Sequence, residues 1–152
     1  MFRRFRHRRV DDAARLRHRE TFLTKEDFIW PVFLVEGGGR REPVVSMPGV
    51  SRFSIDAFLD EVSPLVERGL RSILLFGSPD RKGVEQAYDP EGLIPRAVRE
   101  IKGRFPSLEV LTDVCLCSYT RDGHCHVGDN DETCRILARV ATAHARAGAD
   151  AE

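Results

Sequence analysis

Asp113-Val114-Cys115-Leu116-Cys117-Ser118-Tyr119-Thr120-Arg121-Asp122-Gly123-His124-Cys125-His126 is the stretch on which both fold and chemistry turn. Read as the end of a β-strand over 108–117, it has a period of two that puts Asp113, Cys115 and Cys117 on one face, with Val114 and Leu116 on the other. The turn-prone residues Ser118 to Gly123 then fold the chain back, so that Cys125 reaches the same point. Three converging thiols suit zinc, which takes soft or borderline ligands in a tetrahedron. A structural zinc site closes with a fourth protein ligand, whereas a catalytic one keeps a position for water or substrate. His124 and His126 flank Cys125 and either would close the site, so the spacing C-x-C-x7-C fits both forms. Ordinary buried thiols are the competing reading, since free cysteine packs well in cores. Three of them within eleven positions, beside two histidines, argue against it.

Length and composition set the frame around that stretch. One domain with a sizeable core is expected of 152 residues. With 24 basic and 24 acidic residues the formal charge is zero, which points to neither nucleic acid nor a membrane surface. No apolar run approaches a membrane span, and the N-terminus lacks the apolar core of a signal peptide. A soluble, cytoplasmic protein is therefore expected. In that compartment four cysteines, three of them clustered, speak for metal rather than disulfides, and Cys134 stands apart. Lysine is scarce: only Lys25, Lys82 and Lys102 are available for amine chemistry.

Taken in order, the chain opens with a basic segment in which Arg3, Arg4, Arg6, Arg8 and Arg9 are interrupted by Phe5 and His7. It has no hydrophobic face of its own and reads as an arm over 1–23 that packs on a neighbouring subunit or stays mobile. Residues 24–152 read as the barrel domain developed below. Phe28 to Val35 is a nearly continuous apolar run, the mark of a parallel strand buried on both faces, although Pro31 removes one ladder donor. Pro43 to Gly49 reads as an ordered loop or short hairpin. Ser54 is the expected N-cap of a helix carrying Ile55, Phe58, Leu59, Val62, Leu65 and Val66 inward and ending at Gly69. Pro64 inside it should kink or break it, at a cost of roughly 3 kcal/mol. Ser72 to Gly77 is a second strand, Gly92 to Phe105 a second helix, and 108–117 the third strand. Asn130 or Asp131 caps a third helix that ends at Gly148, and Ala149-Asp150 would open a fourth strand.

Strand and helix alternating in this way form a repeating β/α unit with parallel strands, used by the open doubly wound sheet and by the (β/α)8 barrel. No G-x-G-x-x-G or G-x-x-x-x-G-K-[ST] follows any strand, which removes support for dinucleotide and P-loop proteins. Polar ligands gathered at the carboxyl end of a strand suit the barrel, whose active sites lie on that face. The expected fold is α/β, and a (β/α)8 TIM barrel of about 250 residues could be present only in part, as about three units behind the N-terminal arm.

At this point the sequence resembles the delta-aminolevulinic acid dehydratase (porphobilinogen synthase) family. The resemblance rests on Asp27-Phe28-Ile29-Trp30-Pro31-Val32-Phe33, Ser46-Met47-Pro48-Gly49-Val50, Leu75-Phe76-Gly77, the run from Asp113 to Cys125, Asn130-Asp131-Glu132-Thr133 and Ala147-Gly148-Ala149-Asp150. It implies a TIM barrel whose arm embraces a neighbour in a homo-oligomer, commonly an octamer. It also implies condensation of two 5-aminolevulinate molecules to porphobilinogen, a step of tetrapyrrole and haem biosynthesis. Zinc is implied as cofactor, with Cys115, Cys117 and Cys125 on its ligand positions and Asp113 on an active-site aspartate. The family's Schiff-base lysines and carboxylate-binding arginines belong to the second half of the barrel, and Lys25, Lys82 and Lys102 match none of them. A non-catalytic zinc-binding or subunit-interaction remnant, or a truncated product without function, is the alternative. His126 in place of a usual glycine, a shortened segment from Val127 to Asn130, and Pro64 depart from the family pattern.

Overall fold

The computed structural model describes residues 4–152; Met1 to Arg3, the start of the expected arm, lie outside the described residues. A 3-10 turn (Arg6–Arg9) leads into the short helix α1 (Asp12–His18), whose N-cap Asp11 accepts a 2.7 Å hydrogen bond from the Ala14 N–H. Leu16, Phe22 and Leu23 in and after it are more than half exposed. Strand β1 (Ile29–Val35) follows, then the short strands β2 (Arg41–Pro43) and β3 (Ser51–Phe53), helix α2 (Ile55–Glu67), β4 (Ser72–Ser78), α3 (Leu93–Arg104), β5 (Glu109–Thr112) and α4 (Asn130–Ala147).

The strands form one sheet in the order β2-β3-β1-β4-β5, parallel except for the antiparallel β2–β3 hairpin. The sequence reading allowed a hairpin at Pro43 to Gly49 but did not foresee that it joins the sheet beside β1. β1 pairs with β4 along its whole length, whereas β3 begins to pair only at Phe33. Pro31 therefore lies where one flank of the strand has no ladder to complete, which is how the sheet tolerates it. The expected fourth strand begins as well: the Asp150 N–H donates to the Val110 carbonyl at 2.9 Å and Thr112 N–H to that of Ala151 at 3.0 Å, a parallel bridge beside β5.

Alternation along the strands separates two faces. Val32 and Leu34, Ile73 and Leu75, and Val110 are buried against Phe58 and Val62 of α2 and Ala97, Val98 and Ile101 of α3. Each buried Val, Leu, Ile or Phe among them contributes roughly 1.5–3 kcal/mol. The opposite face is equally apolar yet less covered: Ile29 is 48% exposed, and Phe33 stacks on Phe76 with ring centroids 5.3 Å apart while both stay partly exposed. A doubly wound sheet carries helices over both faces. An apolar, incompletely covered second face is the interior of a barrel, which side chains of further strands fill.

Pro64 does not break α2, which continues to Glu67. Pro64 and Asp60 are both exposed, so the proline lies on the solvent side of the helix, away from the apolar core. Gly69, with φ of 100°, then ends the helix in the left-handed region as its position predicts.

His144, near the end of α4, is only 1% exposed. Its Nδ1 lies 3.0 Å from Thr112 Oγ1, while Nε2 has no hydrogen-bond partner among the described residues. Burial pulls its pKa from 6.5 down to about 4. Because the unfolded chain binds the proton first, stability should fall as pH drops from about 6.5 to about 4 and level off below, by at most about 3 kcal/mol from this group. Denaturant titrations across that range should show a shallower pH slope for His144→Gln than for the unaltered protein.

Candidate metal centre

The third strand is shorter than its sequence suggests. β5 ends at Thr112, and Asp113 keeps one ladder bond, its N–H donating to the Leu75 carbonyl at 3.1 Å. Beyond it the chain turns: the N–H groups of Tyr119 and Thr120 both donate to the Leu116 carbonyl, at 2.8 and 3.0 Å. The turn is pinned by apolar contacts, since fully buried Leu116 and nearly buried Tyr119 cluster with Ala87 and Val140, and Cys125 packs against them. Cys125 returns through Gly123, whose φ is 75°, and the Thr120 hydroxyl donates to the His124 carbonyl at 2.8 Å.

This early turn is what gathers the thiols. In an extended strand, sulfurs two residues apart would sit about 7 Å from each other. Here Cys115 Sγ and Cys117 Sγ lie 3.2 Å apart, and with Cys125 Sγ all three are within 4.8 Å of one another. The Leu116 N–H donates to Cys125 Sγ at 3.2 Å and the Cys117 N–H to Cys115 Sγ at 3.4 Å, contacts that help fix both sulfurs in place. A tetrahedral zinc bonded at about 2.3 Å to each sulfur would hold the sulfurs about 3.8 Å apart, so this donor set fits such an ion in both chemistry and spacing.

No histidine, aspartate or glutamate joins the three thiols among the described residues. His124 and His126 are exposed, and His126 lines a neighbouring cavity with Lys82 and Arg121. Cys134 is exposed in the first turns of α4, outside the cluster. Asp113, the residue after β5 and two before Cys115, is exposed, and partial desolvation raises its carboxyl above the usual range. Tyr119, which the sequence reading did not single out, braces the same corner. Its hydroxyl is pushed up to about 12, chiefly by burial and further by the charges of Asp113, Glu36 and Cys115, so it stays neutral. A Cβ on Gly77 would lie 2.9 Å from Ile94 Cγ1 and 3.3 Å from the Tyr119 hydroxyl, which explains why the carboxyl end of β4 carries a glycine. Only the tertiary contact reveals either role.

The model of the family described as delta-aminolevulinic acid dehydratase matches residues 2–151. The chain belongs to that family. The delta-aminolevulinic acid dehydratases of Methanothermus sociabilis and Bacillus subtilis (strain 168) are each 44% identical to it, over 97% and 95% of this chain. This chain covers 48% of each of those two proteins and so spans about half the length of these curated relatives. The delta-aminolevulinic acid dehydratase of Ruminiclostridium josui is 39% identical over 99% of this chain and 77% of its own. The Toxoplasma gondii ME49 member, solved in complex with the reaction product porphobilinogen, superposes with a TM-score of 0.87 at 34% identity, over 99% of this chain and 46% of that one. The fold is thus part of a TIM barrel, and the thiols stand at the carboxyl end of β5, the end of a barrel strand where active sites are built. No described helix is long and apolar enough to cross a membrane.

Proposed function

We propose that this chain supplies the metal-bearing half of a zinc-dependent porphobilinogen synthase active site, a lyase that condenses two molecules of 5-aminolevulinate to porphobilinogen. The observation that carries this reading is the convergence of Cys115, Cys117 and Cys125 within 4.8 Å at the carboxyl end of a barrel strand, in a chain of this family. Those three residues would hold Zn2+, and with no histidine or carboxylate joining them among the described residues the site stays open. When bound, zinc supplies a Lewis acid that polarises a substrate oxygen in the open position. Asp113, its carboxyl raised by desolvation, holds or passes a proton beside that position. Buried Leu116 and Tyr119 hold the thiol turn against movement.

In the same reading residues 1–23 form an arm and residues 24–152 the barrel part of the chain. The exposed Leu16, Phe22 and Leu23 support an arm that buries its apolar side on a neighbouring copy, in a cytoplasmic homo-oligomer of the octameric kind.

Cobalt(II) tests the central point. One equivalent added to the reduced protein should produce thiolate-to-metal charge-transfer absorption together with the intense visible bands of tetrahedral cobalt, and zinc should bleach both. A protein that stays colourless with excess cobalt would refute the metal site.

A further inference from the structure

The loop after β4 is joined to the thiol turn by two consecutive hydrogen bonds. Lys82 Nζ donates to the Ser118 carbonyl at 2.6 Å, and the Gly83 N–H donates to the Tyr119 carbonyl at 2.9 Å. Ser118 is the residue directly after Cys117, so this pair of bonds grips the backbone immediately beside a candidate ligand. The loop is itself secured at both ends. Asp80 meets Arg40 at 3.7 Å across the top of the sheet, and Ala87 is fully buried with Leu116 and Tyr119. It can therefore act as a fixed brace.

We propose that Lys82 is a positioning residue of the metal centre, holding the turn that carries Cys117 and setting a positive charge beside the thiolate cluster. This inference rests on the metal site proposed above. Three thiolates around a divalent cation carry a net charge of minus one, which a nearby ammonium offsets. Lys82 makes no ion pair of its own among the described residues, although Glu85 and Asp122 line the same cavity of about 510 Å³ together with Arg121 and His126. Its role lies outside the amine chemistry for which a lysine is first suspected here: it acts on the ligand turn and not on substrate. Groups that orient metal ligands from outside the coordination sphere typically change affinity by ten- to a hundredfold.

The test compares zinc and cobalt(II) affinity of the full chain with those of Lys82→Met and Lys82→Arg, by competition with a chromophoric chelator at low and high salt. Lys82→Met should bind each metal about tenfold more weakly, with the largest difference at low salt, and Lys82→Arg should recover most of the loss. Lys82 is exposed, so the fold should tolerate both changes, and far-ultraviolet circular dichroism verifies it. Equal affinity for the unaltered and Lys82→Met proteins overturns this inference and leaves the metal site standing. A loss shared fully by Lys82→Arg overturns it too. An unaltered protein that binds neither metal overturns both.

Discussion

Cys125→Ser should lower the affinity of this chain for zinc by at least about a hundredfold, more than the loss of an orienting group outside the coordination sphere. A thiolate is a soft, strongly donating ligand, whereas a serine hydroxyl stays protonated near neutral pH and offers only a weak neutral oxygen. The effect should be near its largest at this position. Cys125 is the one thiol that returns from the far side of the turn, and its sulfur already accepts the Leu116 N–H at 3.2 Å. Without it, Cys115 and Cys117 remain as a pair two residues apart that cannot enclose an ion. Cys134→Ser is the matched control, since that thiol is exposed on α4 and outside the cluster, and it should leave affinity unchanged. Chelator competition under reducing conditions measures both, and a Cys125→Ser protein that binds zinc like the unaltered chain would contradict the proposed ligand set.

The second large effect concerns catalysis. The 152-residue protein supplied with 5-aminolevulinate and zinc should form no detectable porphobilinogen. The condensation expected of this family needs a lysine amine that can attack a carbonyl as a free base, in a pocket that disfavours its protonation. None of the three lysines is so placed. Lys102 is bound to the Asp150 carboxylate at 2.9 Å and to the Leu108 carbonyl at 3.1 Å, before the start of β5. Lys25 opens a 3-10 turn ahead of β1, at the opposite end of the sheet from the thiols. Lys82 alone is at the right end, and its ammonium is engaged by the Ser118 carbonyl. A colorimetric pyrrole assay decides the matter: clear turnover would mean that one of these amines, or another nucleophile, does what their surroundings argue against.

Much of the architecture was legible before any coordinates. The helices expected after Ser54, at Gly92 to Phe105 and from Asn130 to Gly148 are α2, α3 and α4, because their apolar spacing is a local signal, but α4 is capped by Asp129, whose side chain accepts the Glu132 N–H at 2.8 Å, and not by Asn130 or Asp131. Two expectations failed for reasons that local pattern does not carry. Pro64 was expected to kink or break its helix, but α2 runs unbroken through it to Glu67, with Pro64 and Asp60 on the exposed side, a placement that local pattern does not reveal. The strand expected over 108–117 stops at Thr112 because Leu116 and Tyr119 find better burial by folding against Ala87 and Val140 than by continuing the alternation.

By itself, the sequence determined the repeating parallel β/α units, the family resemblance, and a trio of thiols at a spacing suited to a soft metal. Each of these is written in residues near one another along the chain, where periodicity, capping and ligand type act. The tertiary structure decided that the sulfurs meet, that the histidines beside Cys125 stay out of their cluster, that a hairpin extends the sheet, and that the loop after β4 grips the turn through Lys82. Those outcomes depend on carbonyls and apolar side chains many residues away in sequence, and only the packed sheet brings them within hydrogen-bonding and contact distance.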